Sequence, residues 1–433
     1  MLLSACRVQT IPNRYHFLAK LRDWFNPRGL ATAAATDCLL LTQFANDVKD
    51  DRCRAEGSKR YAAAIRVLRH ALDKPQAASD DDVVSATDAL GVCEAVGAGG
   101  VSTGFSHDGR AWRQHARGLC ALLRIRGSGY VNLCSGRARD IVFNAIYAAS
   151  TEGGSRRKST MFGEPRWQRA LEANCSGKMW CFLHIICRGP GLLERVDALH
   201  SASQPVREAA LVLHELLKVQ ARMQSWLLAW YKELPELPFG TVGITHYPSF
   251  VAMSGPRADQ FPSVFTFPSV VEAFGLLTYW TVLLFIRKEI YKLSIQPYAI
   301  SHTTQRQRDN FHLSVYECAD ALCQSAPFFL TPSADSRNWH TIGGERDLCG
   351  SLFWAARWYG EQKDWSKAEY CESVLGGQIF SYKEQKDLPI SVATDDWWVM
   401  GKVFLLQRLL KQECVGPSSC ACKEDPESSS LHS

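Results

Sequence analysis

Apolar residues recur along this chain every three to four positions, the spacing of an amphipathic α-helix. The clearest pattern covers residues 110–126, and Gly127 follows it where a left-handed residue would end a helix. One side of this helix is formed by Trp112, Ala116, Leu119 and Leu123. We therefore predict a helix that buries this four-residue stripe.

Three more helices are predicted in the N-terminal part of the chain. Residues 58–74 begin at Ser58, a suitable N-cap, and share an apolar side made of Tyr61, Ile65, Leu68 and Leu72. Residues 80–96 open with three aspartates, which suit the positive end of a helix dipole, and Gly97 ends this helix. Residues 140–149 share an apolar side made of Ile141, Ala145 and Ala148.

Two long helices are predicted in the C-terminal part. The first follows Pro205 and ends before Pro235, and its apolar side consists of Ala209, Leu213, Leu216, Met223, Leu227 and Trp230. The second covers residues 268–294 and is apolar nearly all round in its middle, a pattern typical of a helix enclosed by others.

Three shorter patterns complete the helices. The first carries Phe311, Val315, Cys318 and Leu322. The second ends near Gly360 and carries Leu348, Leu352, Ala355 and Tyr359. Asp364 can cap the third, which carries Trp365, Ala368, Cys371, Leu375 and Ile379. The short connection between the last two helices predicts that they are antiparallel neighbours.

The fold class that follows is all-α. We expect a multi-helix globular domain of antiparallel helix pairs over residues 18–410, a lead-in over 1–17 and a disordered tail over 411–433. Strand signals are confined to residues 241–247 and 264–267. Long loops are predicted at residues 97–109, 151–165, 235–268 and 332–345.

Composition places the chain among ordinary soluble proteins, with 433 residues of which 46% are apolar and 21% charged. A formal net charge of +5 is too small to argue for nucleic-acid binding. The longest apolar run, residues 273–286, is too short to cross a bilayer, and no export signal is visible. We therefore expect a soluble intracellular protein.

The densest basic run is Arg156, Arg157 and Lys158, with Ser159 directly after it. It could serve as a nuclear-import or kinase-recognition patch, but a solvated loop is the favoured interpretation.

Sixteen cysteines invite a metal or disulfide interpretation, but no C-x-x-C pair occurs. The tightest pair, Cys420 and Cys422, lies in a polar tail. We predict buried, reduced thiols in a reducing compartment and no metal or cofactor.

Local motifs for catalysis are scarce. A P-loop and a G-x-S-x-G elbow are absent. An all-helical isoprenoid enzyme would need facing carboxylate clusters for magnesium. Only the pair Asp50 and Asp51, the aspartates at 80–82 and residues 46–48 come near that pattern, and the aspartates at 80–82 also fit a helix start. His115 is expected to be a hydrogen-bonded structural residue.

Tryptophan is frequent in this chain, with thirteen residues. Most of those on or beside the helical stripes are expected in the core rather than in a cation-binding cage: Trp112, Trp226, Trp230, Trp280, Trp354, Trp358, Trp365, Trp397 and Trp398.

The order of these helices resembles the fungal-specific transcription factor domain, in its second family, which lies C-terminal to zinc binuclear cluster modules. Residues 111–127 are the most specific part and resemble the pattern W-x-x-H-x-x-G-x-x-x-L-[IL]-x-x-R-G. The matching residues are Trp112, His115, Gly118, Leu122, Leu123, Arg126 and Gly127.

Three other stretches are similar to the same family, so the resemblance spans about residues 18–410. They are residues 81–96 with Cys93 and Glu94, residues 265–293 with Ala273, Tyr279 and Trp280, and residues 319–379. The family's DNA reader is a six-cysteine zinc module, whereas Cys6, Cys38 and Cys53 here are too far apart to replace it.

The resemblance implies a fungal type of transcriptional regulator without its own zinc-cluster reader and without catalytic residues. We expect it in the nucleus, acting through a DNA-binding regulator or co-regulator on secondary-metabolite or other metabolic genes. No sequence-specific DNA binding is expected from the chain alone, and a small-molecule effector could occupy a buried pocket. The alternatives are an all-α enzyme of isoprenoid type and a helical scaffold.

Overall fold

A computed structural model gives the architecture of the chain. It describes residues 29–48, 50–97, 110–133, 137–174, 177–199, 204–234, 236–296, 303–331 and 344–375. Packing divides these residues into two compact units, the first ending at Ala145 and the second beginning at Ile146. Both predicted domain boundaries, 18 and 410, lie outside the described residues, as do the predicted tail, Ile379, Trp397 and Trp398.

The all-α fold class is confirmed. The first unit contains α1 (Leu30–Val48), α2 (Asp51–Leu72), α3 (Asp81–Gly97), α4 (Arg110–Arg126), α5 (Tyr130–Leu133) and the start of α6 (Arg137–Arg156). The second contains the rest of α6, then α7 (Pro165–Ala173), α8 (Lys178–Ile186), α9 (Gly189–Ala198), α10 (Pro205–Tyr231), α11 (Pro248–Ser254), α12 (Val270–Ser294), α13 (Gln305–Leu330), α14 (Gly344–Glu361) and α15 (Trp365–Val374).

Strands β1 (Gly240–Gly243) and β2 (Ser263–Thr266) form an antiparallel pair, with Gly240 opposite Thr266. They overlap the two β-prone stretches predicted from sequence, and each strand begins one residue earlier than predicted. The intervening chain is not a plain loop, because it forms α11 and the 3₁₀ turns Ile244–His246 and Gly255–Gln260.

In the first unit, α1 packs against α2 and α3, and α3 packs against α4. The Asp82 carboxylate, in the first turn of α3, accepts the backbone N–H groups of Ala31 and Thr32 at 3.0 and 2.9 Å. It thereby satisfies N–H groups that the first turn of α1 would otherwise leave unpaired. The predicted helix start at residues 80–82 is thus correct, but Asp82 caps a second helix.

The predicted start of α2 at Ser58 is wrong. The helix begins at Asp51, because the Asp50 carboxylate accepts the N–H groups of Arg52 and Cys53 and caps it earlier. Ser58 lies inside the helix, where its hydroxyl donates to the Arg54 carbonyl at 3.2 Å. The predicted stripe is only partly buried, since Leu68 is buried whereas Leu72 is 44% exposed.

Helix α4 has the predicted bounds and buries its whole predicted stripe. Gly127 takes a φ of +78° and its N–H donates to the Leu123 carbonyl at 3.0 Å. This is the left-handed cap that the sequence indicated.

The predicted loop from residue 151 is wrong in its first part, because α6 continues to Arg156. Thr151 and Ser155 are buried there, and their hydroxyls donate to the carbonyls of Tyr147 and Glu152. These local hydrogen bonds let polar side chains stay inside a helix that propensity alone would end.

Helix α12 lies at the centre of the second unit and packs against α10, α13 and α14. Its middle is buried nearly all round, as predicted. Gly275 permits a close approach to α10, since a Cβ atom there would lie 2.6 Å from the Trp230 ring.

Helix α13 contains Pro327, which has no N–H for the carbonyl four residues earlier. That carbonyl, of Cys323, accepts the Tyr370 hydroxyl of α15 at 3.2 Å. Helices α14 and α15 pack together, and Asp364 caps α15 as predicted through the Lys367 N–H. Trp365, predicted in the core, is 40% exposed. It is the first residue of α15.

Candidate functional site

The candidate site is an open groove of about 450 Å³ between α10, α12 and α13, in the second unit. We name it the α10–α12–α13 groove. It is lined by Gln224, Leu227, Leu228, Tyr279, Trp280, Leu283, Arg287, Glu317 and Cys318. Its volume lies within the usual range for small-molecule sites, and most of its wall is aliphatic or aromatic.

Arg287 fixes one side of the groove. Its Nη1 donates to the Ser314 carbonyl at 2.7 Å and to Glu317 Oε2 at 3.2 Å, so α12 is tied to α13. The same nitrogen lies 3.3 Å from Cys318 Sγ. The Nε–H is buried without a hydrogen-bond partner. The Arg287 guanidinium and the Glu317 carboxylate therefore form a fixed ion pair at the edge of this apolar wall.

Two titratable groups that line the groove have raised pKa values. Burial raises the pKa of Cys318 to about 11, so the thiol stays protonated at neutral pH and is a poor nucleophile. Burial likewise raises the pKa of Tyr279 well above its ordinary value. The ionisable or polar groups that line the groove include Arg287, Glu317 and Cys318, and no histidine is among its described lining residues.

The described aspartates considered for magnesium have structural roles, whereas the side chains of residues 46–48 lie outside the described part of the structure. Asp50 caps α2, and Asp51 pairs with Arg54. Asp81 pairs with Arg126 of α4. Because Asp82 caps α1, the structure does not gather the aspartates into facing clusters. Among the described residues, no group of three or more histidine, cysteine or acidic side chains is placed to hold a metal ion.

His115 is the hydrogen-bonded core residue that the sequence indicated. Its Nε2 lies 2.9 Å from the Tyr61 hydroxyl, and burial lowers its pKa to about 4. It is therefore neutral at pH 7. Arg126 does not pair with it, since its Nε donates to the Ala78 carbonyl at 2.7 Å. These two motif residues stabilise the first unit separately.

The described cysteines are free thiols, and most are buried, as predicted. The structure also brings two pairs together that sequence spacing could not reveal. Cys38 and Cys93 have Sγ atoms 3.2 Å apart, and Cys323 and Cys371 have Sγ atoms 3.4 Å apart.

The basic run at 156–158 is not a freely solvated loop. Arg157 pairs with Asp197 and with the buried Glu289 at 2.8 Å each, and Lys158 Nζ lies 3.1 Å from Glu194. Although burial opposes it, these two carboxylates raise the pKa of Arg157. The run therefore belongs to an ion-pair network within the second unit.

Sequence reasoning did not identify the groove. Its one available signal was Arg287, the first charge after the fourteen-residue apolar run of α12. A charge in that place is equally typical of an exposed helix end. Only the packing of α13 against Arg287 shows that it lies at the groove.

No protein-family model, no curated protein and no solved structure matches this chain. The described part of the chain contains no helix long and apolar enough to span a membrane.

Proposed function

We propose that this chain is a non-catalytic transcriptional regulator of fungal type, which acts through protein partners and binds a small effector in the α10–α12–α13 groove. The groove is the observation that carries the proposal. It has the volume of a ligand site and an aromatic and aliphatic wall, and its Cys318 thiol is protonated at neutral pH.

The resemblance to the fungal regulatory domain supports the regulatory part of the proposal. The residues that carry it have coherent roles in one helix: Trp112 and Leu123 are buried, Gly127 forms the cap, and His115 bonds Tyr61. The proposal assigns DNA targeting to a partner protein.

Partner capture tests the regulatory role. A tagged full-length chain, cross-linked and purified from nuclei, should carry a DNA-binding protein together with chromatin. A chain found only in the cytosol, with no DNA-bound partner, contradicts it. Tight binding of the purified chain alone to one particular duplex would contradict the assignment of DNA reading to a partner.

Probe binding tests the effector groove. The fluorescent naphthalene dye ANS is a suitable probe, because its aromatic rings match the aromatic and aliphatic wall of the groove. Leu227→Trp should fill the groove and reduce the fluorescence of the bound dye. Leu211→Trp, at an exposed position of the same helix outside the groove, is the matched control. Equal loss in both variants, or none in either, contradicts ligand binding there.

The alternative is an all-α enzyme of isoprenoid type. Its discriminating property is ligand-induced stabilisation, because a ligand that binds only the folded state raises thermal stability. Magnesium with inorganic diphosphate should leave the midpoint of unfolding unchanged if our proposal is correct. A saturable rise would favour the enzyme. A helical scaffold is distinguished by its absence from nuclei.

A further inference from the structure

Ser159 follows two arginines and a lysine, so arginines stand three and two positions before it. Serine kinases that prefer basic substrates read cationic side chains at those positions through carboxylates of their own. Residues 157–160 are not helical, and Ser159 is exposed. We name these four residues the 157–160 turn. The sequence pattern and the accessible hydroxyl therefore occur together.

Glu194 of α9 holds this turn. Its Oε2 accepts the Ser159 backbone N–H at 2.9 Å, and its Oε1 accepts from Lys158 Nζ at 3.1 Å. Hydrogen bonds from the Ser159 hydroxyl and backbone, and from Lys158, lower the pKa of Glu194 to about 2. The carboxylate facing the serine is consequently ionised at every physiological pH.

Arg157 is the second residue that holds the 157–160 turn in place. It adopts a φ of +53°, and its guanidinium donates to Asp197 and Glu289. Arg156 is half exposed and makes only a 3.4 Å contact with Glu152. A kinase can therefore reach Arg156 directly, whereas it must compete with Asp197 and Glu289 for Arg157.

We propose that Ser159 is a phosphorylation site for a kinase that prefers basic substrates, and that its phosphate releases the 157–160 turn from Glu194. The γ-phosphoryl group of ATP is transferred to the Ser159 oxygen as the bond between the β and γ phosphates breaks. ADP leaves, and the hydroxyl proton passes to the base of the kinase. This inference goes beyond the proposed function and does not depend on it.

The release follows from charge. Phosphorylation places a group carrying nearly two negative charges at pH 7 on Ser159, whose backbone N–H donates to Glu194. The phosphate and the Glu194 carboxylate are then two anions on either side of this short contact. Lys158, which pairs with Glu194 in the unmodified chain, can neutralise only one of them. The turn should lose its contact with α9.

The test uses the full chain, ATP and the catalytic subunit of cyclic-AMP-dependent protein kinase. We expect phosphate on Ser159, its loss in Ser159→Ala and slow incorporation in Arg156→Ala. Asp197→Ala should accelerate incorporation, because it weakens the hold on Arg157. The exposed Ser366 lacks preceding arginines and should stay unmodified. A chain that accepts no phosphate at Ser159, even with Asp197→Ala, overturns the proposal.

Thermal unfolding tests the release. Phosphorylation should lower the midpoint by about 2 °C, the change expected for a loss near 1 kcal/mol in a unit of this size. The decrease should vanish in Glu194→Gln and persist in Glu236→Gln, which removes an exposed carboxylate in the same unit. An equal decrease in both variants overturns the role of Glu194. A rise in the midpoint would show that the phosphate tightens the turn, and would overturn the release.

Discussion

The two units bury similar helices in different ways. In the first, α1 and α3 come together through small residues such as Ala31, Ala35, Ala86 and Ala89. In the second, α12 is surrounded by rings, and Trp226 stacks on Trp230 and Tyr279 at centroid distances of 5.2 and 6.0 Å. A core of small residues depends on backbone proximity, whereas an aromatic core depends on a few large side chains.

Both units pair polar groups in or beside their cores. In the first, the Tyr61 hydroxyl lies 2.9 Å from His115 Nε2, and the Arg126 guanidinium pairs with Asp81. In the second, Lys288 Nζ lies 2.7 Å from Glu361, and although Glu361 opposes the change, burial lowers the pKa of Lys288 to about 8. The comparison predicts that single truncations have their largest effects in the second unit.

The largest effect is expected at Trp358, which is fully buried among Tyr291, His312 and Tyr316. Trp358→Ala should lower the free energy of unfolding by about 3–5 kcal/mol, because it leaves a large cavity. Urea denaturation measures this. Trp358→Phe should cost much less, since the indole N–H has no hydrogen-bond partner to lose. Equal costs for the two variants would mean that ring volume does not decide stability here.

Three core truncations compare the units directly. Trp112→Ala and Leu123→Ala in the first unit, and Trp280→Ala in the second, should each cost about 2–5 kcal/mol. All three side chains are buried, at 3%, 0% and 8% exposure. The same denaturation experiment applies, with the 40% exposed Trp365→Ala as the control of small effect. Costs below about 1 kcal/mol at all three positions would refute the core assignment.

The free energy of unfolding should depend on pH through one buried histidine in each unit. Burial lowers the pKa of His115 to about 4, and burial together with the charges of Arg222 and Arg188 does the same for His184. Between pH 6.5 and 4 the unfolded state binds protons that the folded state does not. The contribution of each neutral histidine to the free energy of unfolding is therefore fully present above pH 6.5. It is lost as the pH falls towards 4, by about 3 kcal/mol per histidine.

Unfolding of His115→Gln and His184→Gln, measured at pH 7 and pH 4, isolates the two contributions. Each variant should lose less stability than the unmodified chain when the pH falls. His70, exposed on α2, provides the control variant His70→Gln. A pH response unchanged by either core substitution would show that carboxylates alone govern the acid range.

The smallest effects are expected at two helix crossings. A Cβ atom at Gly275 would lie 2.6 Å from the Trp230 ring, and one at Gly91 would lie 3.3 Å from His115 Cβ. Gly275→Ala should cost about 1–3 kcal/mol through overpacking, and Gly91→Ala less. Gly154→Ala, with open space beside it, is the control. The reverse order in thermal unfolding would show that the aromatic core yields more easily than the small-residue core.

The sequence predicted those helices whose apolar residues form one stripe. Helix α4 and its glycine cap are the clearest example, because pattern and cap agree. Helix α1 was missed since its alanine-, threonine- and leucine-rich sequence shows no polar side. The short helix α8 was missed for a related reason, because it is buried on all sides and shows no periodicity.

The candidate site was far less predictable than the fold. Arg287 and Glu317 are thirty residues apart, on helices whose patterns carry no information about each other's rotation. The contacts of Ser159 and Arg157 with α9 have the same origin. Local periodicity identifies which side of a helix is buried, but the pairing of polar groups at helix edges depends on tertiary packing.

Pro327 leaves the Cys323 carbonyl without its helical hydrogen bond, and the Tyr370 hydroxyl supplies one instead. The two positions are therefore expected to evolve together. If a descendant replaced the tyrosine by phenylalanine, the Cys323 carbonyl would be left unpaired in the core. A residue with a backbone N–H in place of the proline could donate to the Cys323 carbonyl. The Tyr370 hydroxyl would then no longer be needed. Among diverging copies of this gene the two positions should therefore change together, and a lineage that keeps the proline should also keep the tyrosine.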